Sequence, residues 1–291
     1  MESVTISVPR PFDLKQTLRA LGVGVVDEQE RWWWATRTAH GLATVALKGH
    51  KEGVFAQTWG PGAVDLIGRV PRLVGAREEY EISPTNRRVR DFLTMARGLR
   101  LGSTADVHEA IATAVLGQVV TTTEGKRSLR SIVREYGEPA PGPLVGLKAF
   151  PTPEAVASLS HDELHSHGVE RRRATTLIEI GRRSKRLDEI LSMGRGDAER
   201  RLLAVRGVGP WTAAIVMGQA YGDKDAIPVG DYHMPNMIAW ALAGEERGDD
   251  DRMLELLEPY RPYRRHVLVA IKQSGIKAPR YGPRTAVRRH L

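Results

Sequence analysis

DAERRLLAVRGVGPWTAAIVMGQAYG, residues 197–222, is the most informative segment of this chain. Leu202, Leu203 and Val205 close a first helix, Gly207 stands where a helix stops, and Gly209 precedes Pro210, a residue suited to the first turn of a second helix. That second helix is expected from Pro210 to about Tyr221, with Gly222 as its stop. A Gly-Val-Gly turn leaves backbone N–H groups free at the positive end of the second helix, and no bulky side chain blocks close approach. Such a turn can hold a phosphate, and would do so without reading base sequence. An ordinary αα-hairpin that happens to use glycine has the same pattern, so spacing alone leaves both readings open.

Asp231, in AIPVGDYHMPNM, lies 22 residues beyond Gly209. Pro235 suits a helix start, which puts Asp231 at or just before a helix N-terminus, where a carboxylate is favoured electrostatically. A simple N-cap explains it fully; chemistry becomes the better reading only if this carboxylate stands beside the hairpin. His233, two residues on, is a weaker candidate for a pH-sensitive partner.

Toward the N-terminus the pattern changes. VTISVPR, RWWWATRT and LATVALKG are short, β-branched or aromatic, and bounded by Gly or polar residues, as strands are. In a strand Trp32 and Trp34 share one side and Trp33 takes the other, which predicts core packing rather than an exposed platform. Residues 61–75 are ambiguous, 89–97 predict a helix, and LRLGST breaks the pattern, so the domain boundary is drawn near residue 100. Beyond it the apolar period lengthens to that of helices. Val107, Ile111, Ala114, Val115 and Val119 form one face, with Asp106 as N-cap. EPAPGPLVG is a loop, Ser160 and Glu163 fit a capping box, and residues 171–186 predict one further helix. The fold class expected is α+β: residues 1–100 as a small domain with an antiparallel sheet, and 101–291 as a mainly helical domain containing the hairpin.

Composition narrows the chemistry. The 43 Lys+Arg against 35 Asp+Glu give +8, which favours a polyanionic partner, and Arg261 to Leu291 carry nine Lys/Arg and no acid. Zero cysteines exclude disulfides, Cys-ligated zinc and a thiol nucleophile. The longest uncharged run, Gly207 to Gly222, is too short and glycine-rich to span a membrane, and no secretion signal is visible, so a cytoplasmic protein is expected. His161, His165 and His167 resemble a metal cluster, but a third or fourth ligand is missing and the segment reads as a solvated helix. GVGVVD and GVGPWT lack the third glycine of a dinucleotide fingerprint.

GVGPWTAA followed by PVGDYHM resembles the helix-hairpin-helix DNA glycosylase superfamily, and within it the 3-methyladenine DNA glycosylase II branch. PFDL at 11–14, GLRLG at 98–102, AVLGQVV at 114–120, FPTPE at 150–154 and YRPYR at 260–264 have counterparts there in the same order, so the likeness covers most of the chain. The resemblance implies that Gly207 and Gly209 donate N–H groups to a phosphate and that Thr212 assists at the same helix start. It implies that carbonyls of Leu203, Val205 and Val208 hold a structural Na+ or K+, with no other cofactor. Asp231 becomes the catalytic carboxylate, Gln118 and Val119 the element entering the duplex, and Trp211 and Tyr232 the lining of a base pocket.

The activity implied is removal of a damaged base, an alkylated purine foremost, from double-stranded DNA by a monomer that leaves an abasic site. Superfamily members that also cut the strand carry a Lys two residues after the second hairpin glycine, to form a Schiff base; that position here is Trp211, which implies a monofunctional enzyme. Two positions depart from the pattern: a pocket Phe corresponds to Ala20 and a pocket Trp to Lys272. An ammonium in the pocket would repel a cationic base, so either Lys272 points away to DNA or the preferred lesion is neutral. The alternatives are a non-catalytic hairpin protein that grips damaged or abasic DNA, and excision of oxidised or mismatched bases on the same scaffold.

Overall fold

The computed structural model describes residues 1–279; Arg280, Arg284, Arg288 and Arg289 of the basic tail lie outside them. A five-stranded antiparallel sheet is built from β1 (Glu2–Ser7), β2 (Val25–Val26), β3 (Trp32–Thr38), β4 (Gly41–His50) and β5 (Gly53–Trp59), in the order β1-β5-β4-β3-β2. Helix α1 (Leu14–Leu21) and α2 (Ala63–Leu73) pack with it. The ambiguous stretch is thus α2, read poorly from sequence because Gly62 precedes it and Pro71 lies inside it.

All three tryptophans are buried. Trp32 and Trp34 enter the sheet–helix core, while Trp33 on the other face stacks on Trp59 with ring centroids 5.3 Å apart. That second face is covered by the segment around Gly142, where a side-chain carbon would come within 3.2 Å of the Trp59 ring. The alternation predicted from the strand period holds, and no tryptophan of the triplet is left as a platform.

The helices that follow are α3 (Arg87–Met95), α4 (Val107–Leu116) and α5 (Thr122–Tyr136); then a short pair, β6 (Glu138–Pro139) and β7 (Lys148–Ala149). Next come α6 (Pro153–Ser158), α7 (His161–Ser166), α8 (Arg171–Arg182), α9 (Ser184–Asp188) and α10 (Arg195–Leu203). The chain closes with α11 (Pro210–Val216), α12 (Met234–Ala243), α13 (Asp250–Leu257) and α14 (Arg264–Ser274). The single helix predicted over 171–186 is two, divided at Arg183 (φ −103, ψ 6). Asp106 caps α4 by accepting from Glu109 N–H, and Ser160 with Glu163 forms the predicted capping box.

These helices bury two apolar clusters beside that of the sheet. One joins Ile111 and Val115 of α4 to Leu177, Leu202, Ala213 and Val216. The other joins Ile238 of α12 to Met253, Leu257 and Val267, and takes in Val89, Ala96, Leu99 and Leu101 on both sides of the boundary drawn near residue 100. The chain passes from the first cluster to the second at Ala226 and Ile227. Among the described residues, no helix is long and apolar enough to cross a membrane.

Candidate active site

The crossing segment between α11 and α12 is tied to both helical layers. Asp223 accepts from Arg195 Nε at 2.7 Å, at the start of α10, while Asp225 meets buried Arg264 of α14 at 2.7 Å. Gly230 has φ +89, a conformation costly for other residues, and its N–H donates to Asp250 Oδ2 at 2.9 Å. Asp231 follows at once, so its backbone is held on either side. Sequence reasoning gave no role to Asp223, Asp225 or Arg264; the traces of them were the spacing Asp-Lys-Asp and the last residue of YRPYR.

Asp231 caps α12 and also reaches the hairpin. Its Oδ1 accepts from the N–H groups of His233 and Met234, at 2.8 and 2.9 Å, while Oδ2 accepts from Trp211 Nε1 at 3.0 Å. Roughly four acceptor directions surround a carboxylate, so three are taken and one is open to a water or a sugar. Asp231 is partly exposed and makes no ion pair among the described residues. The condition set by the sequence is met: the acid stands beside the hairpin, capping α12 while it accepts from a side chain of α11.

The hairpin has the predicted form. Gly207 has φ +90, and a Cβ there would fall 2.0 Å from Thr176 Oγ1, so only glycine fits. Gly209 is different: its φ is −96 and nothing lies within 4 Å of a Cβ, so its bareness faces open space. Neither N–H finds an acceptor among the described residues, and α11 has no side-chain cap. Unpaired donors at a helix start are the arrangement that can take an anion. In the same turn Val205 O accepts from Val208 N at 3.0 Å, which leaves it one lone pair, and the carbonyls of Leu203 and Val208 belong to the same stretch of chain. An all-oxygen set of this kind suits an alkali cation.

The structure places the remaining candidates unequally. Val119 lies outside the helix predicted to contain it, because α4 ends at Leu116; it is 97% exposed with φ +55. Gln118 is half-buried and turned to the hairpin, with Nε2 donating to Gly207 O (2.9 Å) and Thr212 Oγ1 (2.8 Å). Trp211 is half-buried under Asp231, whereas Tyr232 is 86% exposed and meets only the edge of His233, so it forms a rim and not a packed wall. Lys272 is exposed on the last turn of α14, and Ala20 is partly buried against the second helical cluster. The histidines do not converge. His161 bonds Thr175, and His167, expected on a solvated helix, is buried against Tyr136 with Nδ1 at 2.8 Å from Ser131 Oγ. No metal-holding group of His, Cys, Asp or Glu exists among the described residues.

The family of HhH-GPD superfamily base excision DNA repair proteins matches residues 112–262, which span Gln118 and Val119, the hairpin and Asp231. A DNA-3-methyladenine glycosylase of Bacillus subtilis is 26% identical over 170 residues, 57% of this chain and 56% of that protein. The chain thus matches about half the length of this curated relative. Among solved structures, a 3-methyladenine DNA-glycosylase from Archaeoglobus fulgidus superimposes with a TM-score of 0.79 at 19% identity, over 94% of this chain and 99% of its own. The S. pombe 3-methyladenine DNA glycosylase in complex with abasic DNA gives 0.57 at 16% identity, over 69% and 97%.

Proposed function

Because this chain belongs to the HhH-GPD superfamily of base excision DNA repair proteins, we propose that it is a monofunctional DNA glycosylase of the 3-methyladenine type. It extrudes a damaged base, an alkylated purine foremost, from duplex DNA and hydrolyses the N-glycosidic bond. The observation that carries this reading is the 3.0 Å hydrogen bond from Trp211 to Asp231, which fixes a carboxylate beside a turn with two unpaired N–H groups.

A base stacked in a duplex is out of reach, so the nucleotide must be rotated out, at a cost of a few kcal/mol that falls for damaged pairs. The Gly207 and Gly209 N–H groups grip a backbone phosphate, with Thr212 supporting the same helix start, and an apolar residue, Val119, fills the vacated stack. As the bond to the base breaks, positive charge grows on the sugar; a preoriented anion stabilises it without reorganising. Asp231 is that anion, and its open acceptor direction also suits the attacking water. Water delivers hydroxyl to C1′ and gives up its other proton to Asp231 or solvent, while a cationic alkylated purine takes the bonding electron pair and departs neutral. An alkali ion on the carbonyls of Leu203, Val205 and Val208 would only stiffen the turn.

The position two residues after Gly209 holds an indole, which cannot form a Schiff base, so the strand is left uncut. A panel of duplexes bearing single lesions, treated with protein and then hot alkali, tests the proposal. Base release that Asp231→Asn lowers by about a hundredfold or more, with no borohydride-trapped adduct, supports it. Tight binding to abasic DNA without release from any lesion would instead mean a non-catalytic grip.

A further inference from the structure

We infer that Gln118 is a positioning residue: its side-chain amide straps the loop that bears Val119 to the phosphate-gripping turn, so that grip and base extrusion act as one rigid unit. This rests on the function proposed above.

The loop between α4 and α5 is fixed at both ends. On one side Leu116 O accepts from buried Arg173 at 2.9 Å, and Gly117 N–H folds back on the last turn of α4. On the other, Thr121 and Glu124 form a complete capping box for α5. Close packing squeezes the stretch between: a Cβ on Gly125 would stand 3.1 Å from Leu116 O, and one on Gly117 3.6 Å from the Trp211 ring. Only the tip remains, Gln118, Val119 and Val120.

Val119 is β-branched yet left-handed at φ +55, and almost fully exposed. A side chain branched at Cβ disfavours that conformation, and a residue holds it only where its surroundings over-determine the backbone. Among the described residues nothing covers the Val119 side chain, which leaves its neighbours. Gln118 supplies the restraint. An amide NH2 carries two hydrogens, and both are engaged, one on Gly207 O and one on the buried Thr212 hydroxyl. Neither hydrogen is left to donate to a base edge in the minor groove, which separates this role from direct contact with DNA. The strap ends on the two residues that frame the phosphate-binding turn. An exposed apolar side chain works as a wedge between base steps only if its support does not yield. Gripping the strand at Gly207 and Gly209 therefore sets where Val119 enters the stack.

The test compares single-turnover base release from one lesion in two duplexes, paired normally and in an unpaired bulge where extrusion is cheap. Losing two hydrogen bonds of ordinary strength is expected to slow Gln118→Ala by about tenfold on the paired lesion and to leave the bulged lesion within about twofold. The ratio within one preparation is insensitive to the fraction of folded protein. Gln118→Glu, which keeps the shape but presents oxygens to Gly207 O, should behave like Gln118→Ala. Because Gln118 acts through Val119, adding Gln118→Ala to Val119→Ala should cost nothing further. Equal losses on both duplexes, or additive losses in the double variant, overturn the inference. Should the wild type release no base from either duplex, the glycosylase reading fails. The strap is then judged by fluorescence of 2-aminopurine at the lesion site: extrusion that Gln118→Ala abolishes supports it, and unchanged or absent extrusion overturns it.

Discussion

Gly207 and Gly209 look alike in a sequence but answer to different physics. Gly207 is required by the fold, because its positive φ and the Thr176 hydroxyl leave no room for a methyl group. Gly207→Ala should lower stability by about 1–3 kcal/mol, seen as a drop in melting temperature. Gly209 has an ordinary φ and empty space around it, so Gly209→Ala should melt as the wild type does yet bind duplex DNA several-fold more weakly, as measured by fluorescence anisotropy. Equal melting losses in both variants would refute this division of roles. Trp211→Phe keeps an aromatic ring but removes the donor to Asp231 Oδ2. A hydrogen bond to a charged group is worth about 1.5–3 kcal/mol, so single-turnover base release should slow roughly tenfold to a hundredfold, with affinity for abasic DNA nearly unchanged.

At the scale of elements, α4 links the sheet to the hairpin. Its first turn lies on β3: Thr36 Oγ1 donates to Asp106 at 2.5 Å, and Trp34 Nε1 to Glu109 at 2.9 Å. Glu109 is half-buried, and desolvation, with Asp106 nearby, pushes its carboxyl up to about 8 against the donation from Trp34. The folded chain therefore keeps a proton that the unfolded chain releases near its ordinary value of 4.5. Stability contributed by protonated Glu109 is present at low pH and declines as pH rises through that window to about 8. Glu109→Gln, permanently neutral, should melt above the wild type at about pH 8–9, with the difference shrinking toward about pH 5. A constant difference across that range would show that the carboxyl is ionised throughout. The Asp106 cap and the inward Trp34 were legible from local pattern. Their meeting was not, since the partners are separated by some seventy residues of chain. Val119 misled for a related reason: it fits the apolar period of α4, but the helix stops at Gly117, and the next residue is drawn to a carbonyl 89 positions away.

For the whole molecule, the hairpin and the acid were readable because each is a local signal of turn glycines, a helix-starting proline and a capping carboxylate. What joins them is long-range packing: Arg195 and Arg264 hold the two aspartates of the crossing segment against opposite helical layers. The excess of basic residues gains meaning in the same frame. Arg206 is exposed in the hairpin turn, and Arg172 is exposed one turn along α8 from Thr176, which packs against Gly207. Affinity for lesion-bearing duplex should fall linearly on a log–log plot against salt, and Arg206→Ala should reduce that slope by about 1 with little change in lesion preference. An unchanged slope would place Arg206 away from the backbone. The contact between Trp211 and Asp231 has a further consequence, because the indole is carried by one layer and the carboxylate by the other. Prying the layers apart severs that bond, so a bulky guest that forced its way between them would misalign the very anion it needed. On the proposed function the bond doubles as a gauge: only a guest that leaves the two layers unspread meets a properly aimed charge.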